Sequence, residues 1–116
     1  MAPWWLPFGR VPELTADTLA RDLVADPPQI IDVRSTAEYN AGHIPGAVSV
    51  PLPSLAGRVA SLGLDPARPV VAICLTAHRS VPAVRLLTRH GYDARQLAGG
   101  MRAWRKASLP EEKDRG

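Results

Sequence analysis

Cys74, the one cysteine of the 116-residue chain, stands where a thiol can do chemistry. It closes the apolar run Val70-Val71-Ala72-Ile73 and is followed by Leu75-Thr76-Ala77-His78, then by Arg79 and Ser80. The run reads as a buried strand, and Ser80 can open a helix and cap it with its hydroxyl. The thiol is thereby placed among the backbone N–H groups of Leu75 to Ser80, at the positive end of a helix dipole. Such a setting stabilises an anion and lowers a thiol's pKa. It suits nucleophilic catalysis through a covalent intermediate. The permanently charged Arg79 guanidinium can clamp loop carbonyls or an incoming oxyanion. A lone cysteine is more often a small buried hydrophobe, but its place at a strand end, ahead of Arg79 and Ser80, argues for a nucleophile.

A second set of polar residues lies upstream. Asp32 reads as a structural hydrogen-bonding residue rather than a catalytic acid. Arg34 and Glu38, four apart, suit a local ion pair across a short helix. His43 lies in the turn cluster Gly42-His43-Ile44-Pro45-Gly46, where fixing the turn is a better assignment than general base. His78, in the loop itself, either touches substrate or faces solvent. Cys74, His43 and His78 lack paired-ligand spacing, so no metal site is expected.

The elements that must position these groups follow from periodicity and punctuation. Thr15 is a helix N-cap, with Leu19, Leu23 and Val24 as the apolar stripe and Asp26-Pro27-Pro28 as the stop. Residues 29–33 and 47–50 read as strands. Ser35 or Thr36 caps a short helix through Tyr39. A helical pattern runs from Pro53-Ser54 through Leu62 to Gly63, and another from Ser80 to Gly91 with Pro82 in its first turn. Residues 92–97 form the last strand, and Gly99-Gly100 turns into a helix carrying Met101 and Trp104. Strands alternating with helices predict an α/β domain with a mainly parallel sheet, in which ligands bind at the carboxyl ends of strands. Cys74 occupies such an end.

Composition narrows the function classes. Hydrophobic residues make up 46% and charged residues 22%, with a net charge of +3, which suits one ordinary globular domain. No basic run or aromatic-interleaved basic stripe marks a nucleic-acid protein. One cysteine excludes an internal disulfide framework and multi-cysteine metal motifs and suits a reducing compartment, so a cytoplasmic location is expected. No run spans a membrane. The segment Met1 to Phe8 is apolar and holds two of the three tryptophans, but lacks a basic n-region and is broken by two prolines, unlike a cleaved signal peptide. Its rings are expected to cover a core edge, with a partner or membrane-surface contact as the alternative.

Three blocks in order resemble the single-domain rhodaneses, the thiosulfate sulfurtransferases. Cys74 to Arg79 looks like that family's six-residue active-site loop, with Ser80 following. Asp32-Val33-Arg34 with Glu38-Tyr39 and Gly42 to Ala47 resembles its first signature block, and Leu97-Ala98-Gly99-Gly100 with Trp104 its closing block. The resemblance implies a rhodanese-like three-layer sandwich with a mainly parallel central sheet flanked by helices. The chain then divides into an apolar N-terminal segment at 1–10, the domain at 11–106 and a polar tail at 107–116, of which Glu111 to Gly116 is expected to fray. The resemblance also implies ping-pong sulfur transfer from a small donor such as thiosulfate, through a Cys74 persulfide held by the loop N–H groups, to cyanide, a thiol or a protein acceptor. No cofactor is required. Ala77 stands where the family often has glycine, and its Cβ disfavours a left-handed backbone.

Three other functions compete. A cysteine phosphatase or arsenate reductase also uses a thiolate in an N–H cradle, but the resemblance to those enzymes calls for five residues between cysteine and arginine. Four are present, and the smaller ring suits a single sulfur better than a phosphate. A non-catalytic rhodanese-like interaction module often lacks the cysteine that this chain retains. A persulfide carrier serving one protein acceptor lies between the two.

Overall fold

The computed structural model describes residues 11–113. The apolar segment at 1–10 and its aromatic residues lie outside the described residues. Five strands form one parallel sheet in the order β1-β5-β4-β2-β3. They are β1 (Glu13–Leu14), β2 (Gln29–Asp32), β3 (Val48–Ser49), β4 (Val70–Ile73) and β5 (Ala94–Leu97). The helices are α1 (Ala16–Ala25), α2 (Thr36–Ala41), α3 (Leu52–Arg58), α4 (Ser80–Arg89) and α5 (Gly100–Lys106), with a 3-10 turn at Val59–Leu62.

Alternate side chains on a strand point to opposite faces, and the two faces of this sheet bury different helices. Ile31, Val70 and Ala72 meet Leu55, Val59, Ala83, Val84 and Leu87 from α3, the 3-10 turn and α4. Ile30, Val71 and Ile73 meet Ala16, Leu19, Met101 and Trp104 from α1 and α5. All four residues of β4 are buried, as a central parallel strand covered on both faces requires. The architecture is the expected three-layer α/β sandwich, and among the described residues no helix is long and apolar enough to cross a membrane.

Local signals set the element ends. The Thr15 side chain accepts the Thr18 amide at the start of α1, and Ser35 with Glu38 forms a full capping box on α2. Some expectations fail. Val24 does not join the apolar stripe of α1 but is 89% exposed, because the stripe needs only Leu19 and Leu23 to reach the sheet. The strand β1, too short for a periodicity signal, is held by pairing with β5. The tail is pinned through Glu112 rather than frayed from Glu111. His43 and Glu112 exchange both backbone hydrogen bonds, at 2.9 and 2.8 Å, the Trp104 indole N–H donates to the Pro110 carbonyl at 2.8 Å, and Arg105 pairs with Glu111.

Candidate active site

The carboxyl end of β4 carries Cys74, whose side chain is 2% exposed. The loop then turns back on the sulfur, so that the Arg79 backbone N–H donates to Sγ at 3.2 Å. Burial pushes the Cys74 thiol up, but the N–H groups of Thr76, Arg79 and His78 and the Arg79 guanidinium outweigh it, and the pKa falls below the ordinary thiol value. Of these donors the Arg79 amide has full hydrogen-bond geometry, and the others act as oriented dipoles facing the sulfur. A lowered pKa raises the thiolate fraction, and the thiolate is the form in which a cysteine attacks.

The curl of the loop requires Ala77 to adopt φ 69°. That left-handed conformation costs an L-residue about 1–2 kcal/mol. The Cβ of Ala77 therefore does not prevent the loop from closing; the loop is held closed against the strain. Part of the holding comes from below. The first N–H groups of α5 reach the loop backbone, Met101 donating to the Cys74 carbonyl at 2.8 Å and Arg102 to the Leu75 carbonyl at 3.1 Å. Gly100 makes this contact possible, since a Cβ there would lie 2.4 Å from the Cys74 carbonyl oxygen.

Arg79 has a different partner from the one its chemistry suggested. Its guanidinium is engaged bidentately by Glu38, at 2.7 Å and 2.9 Å, rather than by loop carbonyls. This hydrogen-bonded pair holds the Glu38 carboxyl at about 2, against an ordinary 4.5, and raises the Arg79 pKa. Glu38 consequently does not pair with Arg34. Arg34 turns to Asp32, with Nη2 to Oδ2 at 2.7 Å, and also donates to the Gly42 carbonyl at 2.7 Å, all fully buried. The spacing that allows an i,i+4 pair fails because Arg34 precedes the helix and Glu38 belongs to its first turn.

Ser80 does not cap α4. Its hydroxyl is buried and donates to Gln96 Oε1 at 2.7 Å, and Gln96 Nε2 donates to Glu13 at 3.1 Å. Neither Gln96 nor Glu13 was singled out by the sequence. The available signal was a glutamine at an inward position of a strand, which needs a buried partner. His43 is buried, stacked on Tyr39 with ring centroids 3.7 Å apart and Nδ1 2.8 Å from the Tyr39 carbonyl. It fixes the turn. Leu75, Thr76 and Ala77 are half-buried around the sulfur, and His78 is exposed, with Nδ1 2.8 Å from Thr76 Oγ1. The structure thus gathers Cys74, the loop to Arg79, and Glu38 into one site, while Asp32, Arg34 and His43 form the buried support beside it.

Comparison with known proteins shows the family. Residues 15–107 match the Rhodanese-like domain family. Over 99 residues the chain is 40% identical to the HTH-type transcriptional regulator Rv0324 of Mycobacterium tuberculosis, covering 84% of this chain but only 43% of that protein. Over 96 residues it is 32% identical to the thiosulfate sulfurtransferase GlpE of Shewanella oneidensis, covering 82% of this chain and 93% of the other. The solution structure of the rhodanese-like domain of Anabaena Alr3790 superposes with a TM-score of 0.80 at 32% identity, covering 90% of this chain and 80% of that one. A parallel sheet that presents an acidified cysteine in a closed loop, matched over most of its length, makes this chain a member of the rhodanese family.

Proposed function

We propose that the protein is a sulfurtransferase that moves a sulfane sulfur from a donor such as thiosulfate to a thiophilic acceptor through a Cys74 persulfide. The observation that carries this reading is the Cys74 sulfur itself, buried and acidified at the end of β4 with the Arg79 amide 3.2 Å away. In the first half-reaction the thiolate attacks the outer sulfur of thiosulfate. A Cys–S bond forms, the sulfur–sulfur bond of thiosulfate breaks, and sulfite leaves with the electron pair. The loop from Leu75 to Ser80 receives the anionic outer sulfur among its N–H groups, which substitute for water around the charge. In the second half-reaction an acceptor such as cyanide attacks that sulfur and Cys74 leaves as the thiolate. Splitting the transfer in this way replaces one difficult step by two easier ones. A free, oxidisable thiol at the centre supports a reducing compartment such as the cytoplasm for this activity.

Intact mass after incubation with thiosulfate tests the reading. A gain of one sulfur on the wild type and none on Cys74→Ser supports it, and absence of an adduct from thiosulfate and from a persulfide donor alike leaves a non-catalytic module. An adduct from the persulfide donor alone, without thiosulfate turnover, replaces the enzyme by a carrier. The four-residue loop between Cys74 and Arg79 also requires p-nitrophenyl phosphate to be left untouched.

A further inference from the structure

Thr76 and His78 are joined side chain to side chain on the rim of the loop, Thr76 Oγ1 lying 2.8 Å from His78 Nδ1. The amides of both residues face the Cys74 sulfur, and on that same loop the Thr76 side chain is half-buried and the His78 side chain is exposed. In the tautomer that donates Nδ1–H to the threonine oxygen, the imidazole keeps its lone pair on Nε2. His78 is exposed, and Thr76 is its hydrogen-bond partner among the described residues.

The other titratable groups of the site are committed. Both Glu38 oxygens are held by Arg79 and one also by Ser35, which keeps that carboxyl at about 2 and removes it as a base near neutrality. The Arg79 guanidinium is locked in the same pair. Asp32 is buried against Arg34, and the His43 ring is stacked on Tyr39 and hydrogen-bonded to its carbonyl. His78 is left as the group that can take a proton and return it.

We propose that His78 is a catalytic residue of the second half-reaction, that the acceptor class it serves is a neutral thiol, and that Thr76 is its positioning residue. The proposal rests on the sulfurtransferase reading above and adds a proton path to it. A thiol with an ordinary pKa of about 8.5 is mostly protonated at neutral pH and is a poor nucleophile in that form. Nε2 takes the thiol proton, and the acceptor sulfur attacks the outer sulfur of the Cys74 persulfide. The S–S bond to Cys74 breaks, its electron pair returns to Cys74 as the thiolate under the loop N–H groups, and the imidazolium gives the proton to the transferred sulfur. Acceptor thiol and persulfide anion thus become acceptor persulfide and Cys74 thiolate, with charge, protons and the oxidation level of the moved sulfur conserved.

The test separates the half-reactions. Wild type, His78→Gln, His78→Ala, Thr76→Val and Thr76→Ser are loaded with thiosulfate, freed of excess donor and checked for the persulfide by intact mass. They are then mixed with glutathione or, in mildly alkaline buffer, with sulfite, which has no proton to lose. Loading and sulfite discharge report what each substitution does to the loop itself, and relative to that reference discharge to glutathione is expected to fall about 100-fold in both His78 variants, the usual worth of general acid–base catalysis. Thr76→Val loses about tenfold toward glutathione, the worth of one hydrogen bond, and Thr76→Ser restores it. Added imidazole rescues His78→Ala toward glutathione only. Equal losses toward both acceptors reduce His78 to a structural residue and overturn the proposal, as does an unchanged glutathione rate. If the wild type fails to load from any donor, the sulfurtransferase reading falls first, and this outcome is visible before any acceptor is added.

Discussion

Glu38 holds the Arg79 guanidinium with both carboxylate oxygens, 2.7 Å to Nη1 and 2.9 Å to Nη2, across 41 residues of sequence. The same carboxylate completes the capping box of α2 by accepting the Ser35 amide. One side chain therefore joins a helix start to the last residue of the loop around Cys74. Arg79 faces the sulfur with its backbone N–H and adds the charge of its guanidinium, which Glu38 holds in place.

The pairing has a pH signature. The Glu38 pKa is depressed by Arg79, so its contribution to stability is fully present above the ordinary 4.5 and is lost as pH falls toward about 2. Wild type is expected to melt above Glu38→Gln by a constant margin at neutral pH, about 1 kcal/mol after allowance for solvent screening of a partly exposed pair. The margin narrows below 4.5. Thermal melts of both proteins across acid pH check this, and a margin that grows on acidification contradicts it.

The thiol should react as an acidified one. Iodoacetamide alkylation of Cys74 followed against pH is expected to show a midpoint below the 8.5 or so of a free cysteine, and the same thiol in denaturant to return to that value. On acidification the thiolate is lost, and alkylation with it. A native midpoint above the denatured one would mean that burial wins over the loop N–H groups.

Ala77 at φ 69° gives a prediction of opposite sign to most loop substitutions. Ala77→Gly removes about 1–2 kcal/mol of left-handed strain and returns about 0.4–1 kcal/mol through the greater freedom of the unfolded chain. A net stabilisation of about 0.5–1 kcal/mol is expected in urea denaturation, with persulfide formation retained.

Gly100→Ala should do the reverse. Its Cβ meets backbone, the Cys74 oxygen at 2.4 Å and the Leu75 carbonyl carbon and oxygen at 2.6 Å, at a residue already at φ 57°. Neither carbonyl can move without moving the sulfur, so loss of sulfur transfer and a destabilisation of about 2 kcal/mol or more are expected. Gly57→Ala is the control. Nothing lies within 4 Å of the added methyl in α3, and a gain of up to about 1 kcal/mol follows from helix propensity. Denaturation curves and thiosulfate turnover of the two variants settle the contrast.

What the sequence disclosed was local. The apolar run of β4, the cap at Thr15, the capping signal at Ser35 and the cysteine-to-arginine spacing each lie within one stretch of chain, and each corresponds to a feature of the structure. What it withheld was partnership. Nothing between Arg34 and Glu38 tells that the arginine will turn back to Asp32 while the glutamate reaches Arg79. Nothing near Ser80 announces Gln96, sixteen residues on. Those choices are made when the sheet brings β2, β4 and β5 side by side. The two residues of β1 gain their identity from β5 alone, and the charged look of Glu111 and Glu112 hid a segment fixed by Arg105 and the His43 backbone.

The Met101 and Arg102 amides that hold the loop, and the Glu112 backbone that pairs with His43, all come after Cys74 in the order of synthesis. A ribosome delivers the thiol first and its restraints last. During translation the cysteine is an ordinary side chain on an unsupported strand. The loop gains its α5 supports only when that helix has emerged and docked, so the surroundings of the thiol are completed by the end of the fold rather than by its own stretch of chain.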